Sequence, residues 1–433
     1  MATSAGPAAL TRWARLASGA LAYPSIEAAQ WLPPDRVRDL QWRRLKRLLR
    51  HAHDRSPLCR ARFKQAGATP DDIRSLDDMR RLPATTREDL RQPDALLAEG
   101  LPRAGLRSSM TSGSTGRRTT SYFDERAWVL AKYLLKLRAR RACGVRPWDR
   151  VALFQEDAPE RPSFGPGTRS QAFTIHRPIG EILPDVRRFA PAVLYGFPGY
   201  FLRLAEAAGG CLRPRLVFTS GELLDPATRR GIESGLGAPV YDVYGCTEVK
   251  EIAWECPARE GYHVNADWVL VETDGAPGRP GRLLVTSLAN LAMPLLRYQV
   301  GDTGVLLEGG RCPCGRGLPL IRPTLGRSVD YLDLPDGTTL APYNLTCAVE
   351  AVEGMRQYQF VQTERDAVEL RVVPNDEFGD ASRQALHAAL RPVLPGVTVR
   401  VELVPAIPAE PSGKYRIVQS RVDRSRQPAE ARP

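Results

Sequence analysis

The chain has 433 residues, 43% hydrophobic and 25% charged, which supports two or three cored domains and excludes a globally disordered protein. Its net charge of +12 suits anionic partners, but the basic residues are scattered and no nucleic-acid patch is read from them. No stretch reaches the roughly 20 apolar residues of a membrane span, residues 1–30 lack a secretory pattern, and the eight cysteines are dispersed rather than arrayed as a secreted framework, so the expectation is a reduced, cytoplasmic protein.

In chain order, residues 1–35 read as a loose lead-in containing Pro24, Pro33 and Pro34. Residues 38–53 predict a helix. Its Trp42, Leu45, Leu48 and Leu49 fall on one face, which leaves the run Arg43-Arg44-Leu45-Lys46-Arg47 as a solvated surface. Residues 54–107 mix short helices with Pro breaks, 108–121 are polar and Gly-rich, and 125–142 predict a strong helix ending before Gly144. Short apolar runs follow at Val151–Phe154, Val193–Tyr195, Leu216–Phe218 and Val240–Val243, with helical segments between several of them, the order of an α/β sheet with helical cover. Residues 258–310 read as an antiparallel β region. A boundary near 326–330 separates a large domain, 1–327, from a small α+β domain, 328–433. In the latter, 358–362, 368–373 and 397–404 are strand-like and 380–391 is helix-like.

Five segments carry chemistry. Thr111-Ser112-Gly113-Ser114-Thr115-Gly116, followed by Arg117 and Arg118, is a loop whose glycines let backbone N–H groups approach a polyphosphate while hydroxyls add donors. It lacks the Gly-Lys-Ser/Thr ending of a Walker A loop. Tyr244-Gly245-Cys246-Thr247-Glu248 follows a predicted strand. It offers a ring to stack on a purine, a hydroxyl for a phosphate and a hard oxygen ligand for Mg²⁺. Arg297-Tyr298-Gln299-Val300-Gly301-Asp302 places a carboxylate that could bond both hydroxyls of a ribose. Gly326-Arg327-Ser328-Val329-Asp330 lies at the boundary, and Pro411-Ser412-Gly413-Lys414 near the C-terminus.

In this order and at these distances, the five segments resemble the adenylate-forming superfamily over residues from about 38 to about 420. Leu194–Pro198, Thr219–Leu223, Asn290–Tyr298 and Cys312–Arg316 resemble in particular its phenylacetate–CoA ligase group and the CapK-like branch. The resemblance implies an AMP-forming ligase that converts a carboxylic acid and ATP to an acyl-adenylate and passes the acyl group to CoA. The CapK-like alternative is transfer to an amine, a hydroxyl or a carrier protein, and a third reading is a nucleotide-binding protein without turnover. By the same resemblance, 111–116 would hold the β- and γ-phosphates. Ser220, Gly221 and Glu222 would line the adenine pocket with Asp242 and Tyr244, and Gly245 would be a further ATP-binding residue. Thr247 would meet the α-phosphate, Glu248 the Mg²⁺, and Asp302 and Arg327 the ribose. Lys414 would bridge carboxylate and α-phosphate, stabilising two anions as they are forced together, and Asp330 would be the hinge of the small domain. Two departures stand out. Arg occupies positions 117 and 118 where relatives often carry Lys, and Arg matches its charge but not its geometry. Tyr331–Gly337 departs from the usual CoA-ligase pattern.

Cys256, His263, Cys312 and Cys314 form a Cys3His set suited to structural zinc. Cys246 reads as a small packing residue. Phe154, Phe173, His176, Tyr195 and Phe197 are candidates to line the acid pocket, and their rings favour a flat aromatic or short apolar acid.

Overall fold

The computed structural model describes residues 21–110, 119–155, 158, 169–276, 278–307, 312–323, 332–336, 339–340, 345, 348–349, 352–408 and 416–422. The chain divides into two compact units, the first Met1–Pro147 with Tyr241–Pro323, the second Trp148–Val240 with Thr324–Pro433. Among the described residues, no helix is long and apolar enough to cross a membrane.

The first unit opens with helices. The expected helix at 38–53 runs over Pro34–Arg55. Pro at its start costs no hydrogen bond there, and Asp35 in the first turn with His53 and Arg55 in the last complement its dipole. Leu45, Leu48 and Leu49 are fully buried against Leu270, Leu288 and Leu296, which leaves Arg43, Lys46 and Arg47 in solvent. The helix expected at 125–142 also forms. Asp124 caps it by accepting the Ala127 N–H at 2.8 Å, but a π-helical turn at Leu130–Leu134 interrupts it before it resumes over Leu135–Ala142. Just upstream, residues read only as polar and Gly-rich prove to be two short strands. Arg107–Met110 pairs antiparallel with Thr120–Phe123, Met110 facing Thr120, so the segment 111–118 joins the two arms of a hairpin.

Seven strands of this unit form an antiparallel array in the order Val269–Thr273, Gly281–Ser287, Tyr298–Leu307, Leu320–Pro323, Tyr262–Val264, Lys250–Glu255, Val240–Cys246. The expected β region at 258–310 is therefore antiparallel. Behind it, Arg138 is fully buried. Its guanidinium donates to both carboxylate oxygens of Asp267, at 3.0 and 2.9 Å, to Asn265 and to the Ile26 carbonyl. One side chain thus ties the broken helix to the β region and to the helix at 21–29.

The second unit contains two cores. Leu216–Ser220, Val193–Gly196, Val151–Gln155 and Ser170–Thr174 form a parallel array in that order. Helices Ile179–Phe189, Pro198–Ala208 and Pro226–Leu236 accompany it, as the α/β alternation predicts. The other core lies in a four-stranded sheet, ordered Thr398–Leu403, Ala367–Pro374, Met355–Glu364, Val418–Ser420. There Phe360, Leu370 and Val372 pack with Leu386 and Leu390 of the helix Asp380–Leu390. Within this unit Leu223 packs against the C-terminal core, and Arg356 meets Glu206 at 3.4 Å.

Replacing Arg138 by Met leaves the Asp267 carboxylate buried without its partner, which is expected to lower stability by about 3–5 kcal/mol; urea denaturation of the two proteins measures it.

Candidate functional site

The first unit gathers the acidic site residues on its antiparallel strands. The Val240–Cys246 and Lys250–Glu255 strands pair Cys246 with Lys250, with a register shift at Tyr244/Gly245. That leaves Thr247, Glu248 and Val249 as a three-residue connection. Gly245 is required there, since a Cβ at this position would lie 2.4 Å from the Lys250 carbonyl oxygen. Lys250 closes the turn with φ +68°, the left-handed position that three-residue hairpins normally fill with glycine.

Three tyrosine hydroxyls hold three carboxylates here. Tyr244 donates to Asp302 at 2.9 Å, Tyr298 to Glu248 at 2.9 Å and Tyr262 to Asp242 at 3.0 Å. The Asp242 N–H donates in turn to Glu255 at 2.8 Å. Burial, then the neighbouring Asp302, pushes the Tyr244 phenol well above its ordinary range. Burial and Glu248 do the same to Tyr298. Both rings therefore stay neutral donors at neutral pH. The strand carrying Tyr298 and Asp302 is itself anchored. Arg297, at φ +50°, donates to Glu272 at 3.0 Å and to the Leu82 carbonyl at 2.6 Å, and Thr85 bonds the chain on both sides of Tyr298. Cys246 is raised well above its ordinary value by burial and by Glu248, which keeps the thiol protonated.

Among residues of the second unit, Ser220 ends its strand and Gly221 takes φ +84°. The Phe197 ring lies against that turn, so that a Cβ on Gly221 would come 3.1 Å from it. Glu222 accepts the Gly199 N–H at 2.8 Å, in the first turn of the helix Pro198–Ala208; its carboxylate serves that helix end. Phe154 and Phe173 stack at 5.4 Å, and Tyr200 and Phe201 close on Phe154 at 5.3 Å. Those two candidate pocket rings are thus core members of this unit, whereas Phe197 and Tyr195 are half-buried and His176 is exposed. Thr111–Gly116, Arg327, Asp330 and Lys414 lie outside the described residues.

The cysteine–histidine set converges. The ligand atoms of Cys256, His263, Cys312 and Cys314 all lie within 4.8 Å of one another, with Cys256 Sγ 3.5 Å from Cys312 Sγ and Cys314 Sγ 3.3 Å from His263 Nε2. Strand pairing does this: His263 faces Trp254 on one neighbour and Leu320 on the other, so residues just beyond each strand meet at one end. Burial, then Arg316, lowers His263 to about 4, so the ring is neutral at pH 7, as a metal ligand must be. Its Nδ1 is buried without a hydrogen-bond partner among the described residues. Burial pushes Cys312 up to about 12 and raises Cys256. Burial would also raise Cys314, but the Arg316 backbone and side chain outweigh it and the thiol falls below its ordinary value. Arg316 then stacks on Trp31 at 4.5 Å and on Trp254 at 5.4 Å and donates to Gln30 at 2.6 Å, joining the cluster to the N-terminal segment.

Tyr262, Tyr298 and Lys250 were not singled out from sequence. Tyr298 stands inside a quoted motif, yet its partner Glu248 is 50 positions away, and nothing local signals that bond.

With this geometry, comparison with known proteins is decisive. The phenylacetate–coenzyme A ligase of Escherichia coli K12 is 31% identical to this chain over 64% of the chain and 68% of the relative. The chain belongs to that ligase family. The phenylacetate–coenzyme A ligase of Thermus thermophilus is 29% identical over 91% of this chain and 98% of the relative, so family similarity runs nearly end to end. Residues 332–421 match the CapK C-terminal domain family. A 2-hydroxyisobutyryl-CoA ligase, crystallised in the postadenylation state with 2-HIB-AMP, shares the fold at TM-score 0.76, 24% identity and 92% of both chains. The overall α/β architecture expected from the strand–helix order is thus that of the adenylate-forming CoA ligases.

Gly245→Ala forces a methyl into the Lys250 backbone, with an expected loss of about 1–3 kcal/mol measured by thermal unfolding.

Proposed function

We propose that the protein is an AMP-forming ligase that converts a carboxylic acid and ATP to an acyl-adenylate and then to an acyl-CoA. The observation that carries this reading is the pair of tyrosine-held carboxylates in one unit, Glu248 on Tyr298 and Asp302 on Tyr244, within a chain of this ligase family. Glu248 is the residue that would hold Mg²⁺; the ion would neutralise charge as pyrophosphate leaves. Thr247 beside it would bond the α-phosphate, and Asp302 would accept from the ribose hydroxyls through the oxygens that Tyr244 orients. Ser220, Gly221 and Glu222 would present the adenine-binding turn, and Phe197 lies against that turn. Thr111–Gly116 would hold the outer phosphates, Arg327 would join Asp302 at the ribose, and Lys414 would bond both reacting anions in the transition state. We assign the small domain to 328–433, turning at Asp330. A flat aromatic or short apolar acid fits the rings of Phe197 and Tyr195. The CapK match over 332–421 keeps transfer to an amine, hydroxyl or carrier protein as the second reading. The free cysteines among the described residues suit a reduced cytoplasm.

Acid-dependent ATP–pyrophosphate exchange, run without CoA on a panel of aryl, arylacetic, fatty and amino acids, tests the first step. AMP release that then depends strictly on CoA supports the thioester, and AMP release with another acceptor supports the second reading. Silence across the panel, with ATP still bound, overturns the enzymatic reading. Lys414→Ala is expected to abolish exchange while leaving the ATP Kd within about threefold; near-normal exchange would remove Lys414 from the mechanism.

The Cys3His cluster fits a structural zinc in donor set and spacing, as a closed four-ligand site. Since two of its thiols are raised and protonated at neutral pH, adding Zn²⁺ to apoprotein at pH 7.5 is expected to release about 2–3 protons per chain, read by a pH indicator. A metal-free protein of equal stability that releases none contradicts the site.

A further inference from the structure

We propose that Lys250 is a positioning residue for phosphate binding: its ammonium joins the two strands that enter and leave the 111–118 segment and ties both to the turn bearing Thr247 and Glu248. Four observations converge. Lys250 Nζ donates to Ser109 Oγ, on the arm that enters the segment. The same ammonium lies 5.3 Å from the ring of Phe123, on the arm that leaves it. It also lies 5.3 Å from the ring of Trp128, in the helix that follows. Finally, Lys250 occupies the left-handed end of the hairpin turn, φ +68°.

The last point gives the others weight. At this position a lysine costs backbone strain that a glycine would not incur. The strain is offset by what only a long cationic side chain supplies. The ammonium lies near both rings, which pack edge to face at 5.7 Å, and is attracted by both, the more so when half-buried; its hydrogen bond to Ser109 is charge-assisted. The adjacent Glu251 pairs with Lys136 at 3.2 Å. Lys250 thus ties the hairpin arms to the turn bearing Thr247 and Glu248, and on the ligase reading this tie would set the spacing between the ends of the phosphate loop and the metal carboxylate. Small displacements of such groups are costly to catalysis. Ser109 and Lys250 are 141 positions apart, and no local pattern in either segment predicts the link.

The inference rests on the reading of 111–116 as the phosphate loop, so the test includes measurements that do not need turnover. Lys250→Met removes the charge at similar length, and Lys250→Arg restores a cation able to stack. Hydrogen–deuterium exchange of peptides covering 107–110 and 120–123 is expected to quicken about tenfold in Lys250→Met and to return toward wild type in Lys250→Arg, with peptides at 355–374 unchanged. The KM for MgATP in pyrophosphate exchange is expected to rise about tenfold, with kcat and the KM for the acid changed by less than about threefold. Ser109→Ala, which leaves the lysine in place, is expected to move both readouts in the same direction by less. Unchanged exchange of the hairpin in Lys250→Met overturns the proposal. So does a loosened hairpin with unaltered MgATP affinity. If the wild type catalyses no pyrophosphate exchange, the ligase reading fails by itself, and the hairpin exchange together with the MgATP Kd, taken by calorimetry, still decides the role of Lys250.

Discussion

The crowded approach of two backbones at Gly245 and Lys250 sets the terms for the rest of the active unit. With no room for a Cβ at 245 and a left-handed residue at 250, the hairpin has one register, and that register fixes which way every nearby side chain points. A slip of one residue would turn Asp242 and Tyr244 to the opposite face, separating them from Tyr262 and Asp302. The turn is therefore both a structural joint and the mount for Thr247 and Glu248.

Around that joint, Glu248, Asp302 and Asp242 each accept a hydrogen bond from a phenol. A phenolic donor orients a carboxylate without cancelling its charge. The cost of burying these tyrosines is met by the same bonds, since a buried hydroxyl without a partner is unfavourable. Cationic clamps are placed elsewhere, at Arg138 on Asp267 and Arg297 on Glu272, where the charge serves packing.

Much of this was legible from residue order. Apolar runs bounded by Gly or Pro marked the parallel strands of the second unit because fully buried strands read as continuous hydrophobic runs, and the helical stripe of Leu45, Leu48 and Leu49 marked its own buried face. The Cys3His set was legible as chemistry. The 107–123 hairpin was not, because its strands are four residues each and half polar, too short for alternation to stand out. The π-turn at Leu130–Leu134 was equally hidden, since apolar spacing does not distinguish it from an ordinary turn. Phe154 illustrates the limit for pockets. An aromatic residue in a strand carries the same signal whether it faces a ligand or, as here, three other rings.

By itself the sequence determined the family, the order of strands and helices, and the residue types that carry charge or that could bind phosphate or hold a metal, because these follow from local composition and spacing. Only the tertiary structure decided the pairings: Tyr298 with Glu248, Tyr244 with Asp302, Lys250 with Ser109, and four distant ligands at one point. Each joins segments tens of residues apart, and such contacts depend on strand register, which arises from the collective packing of the sheet and leaves no mark in either segment alone.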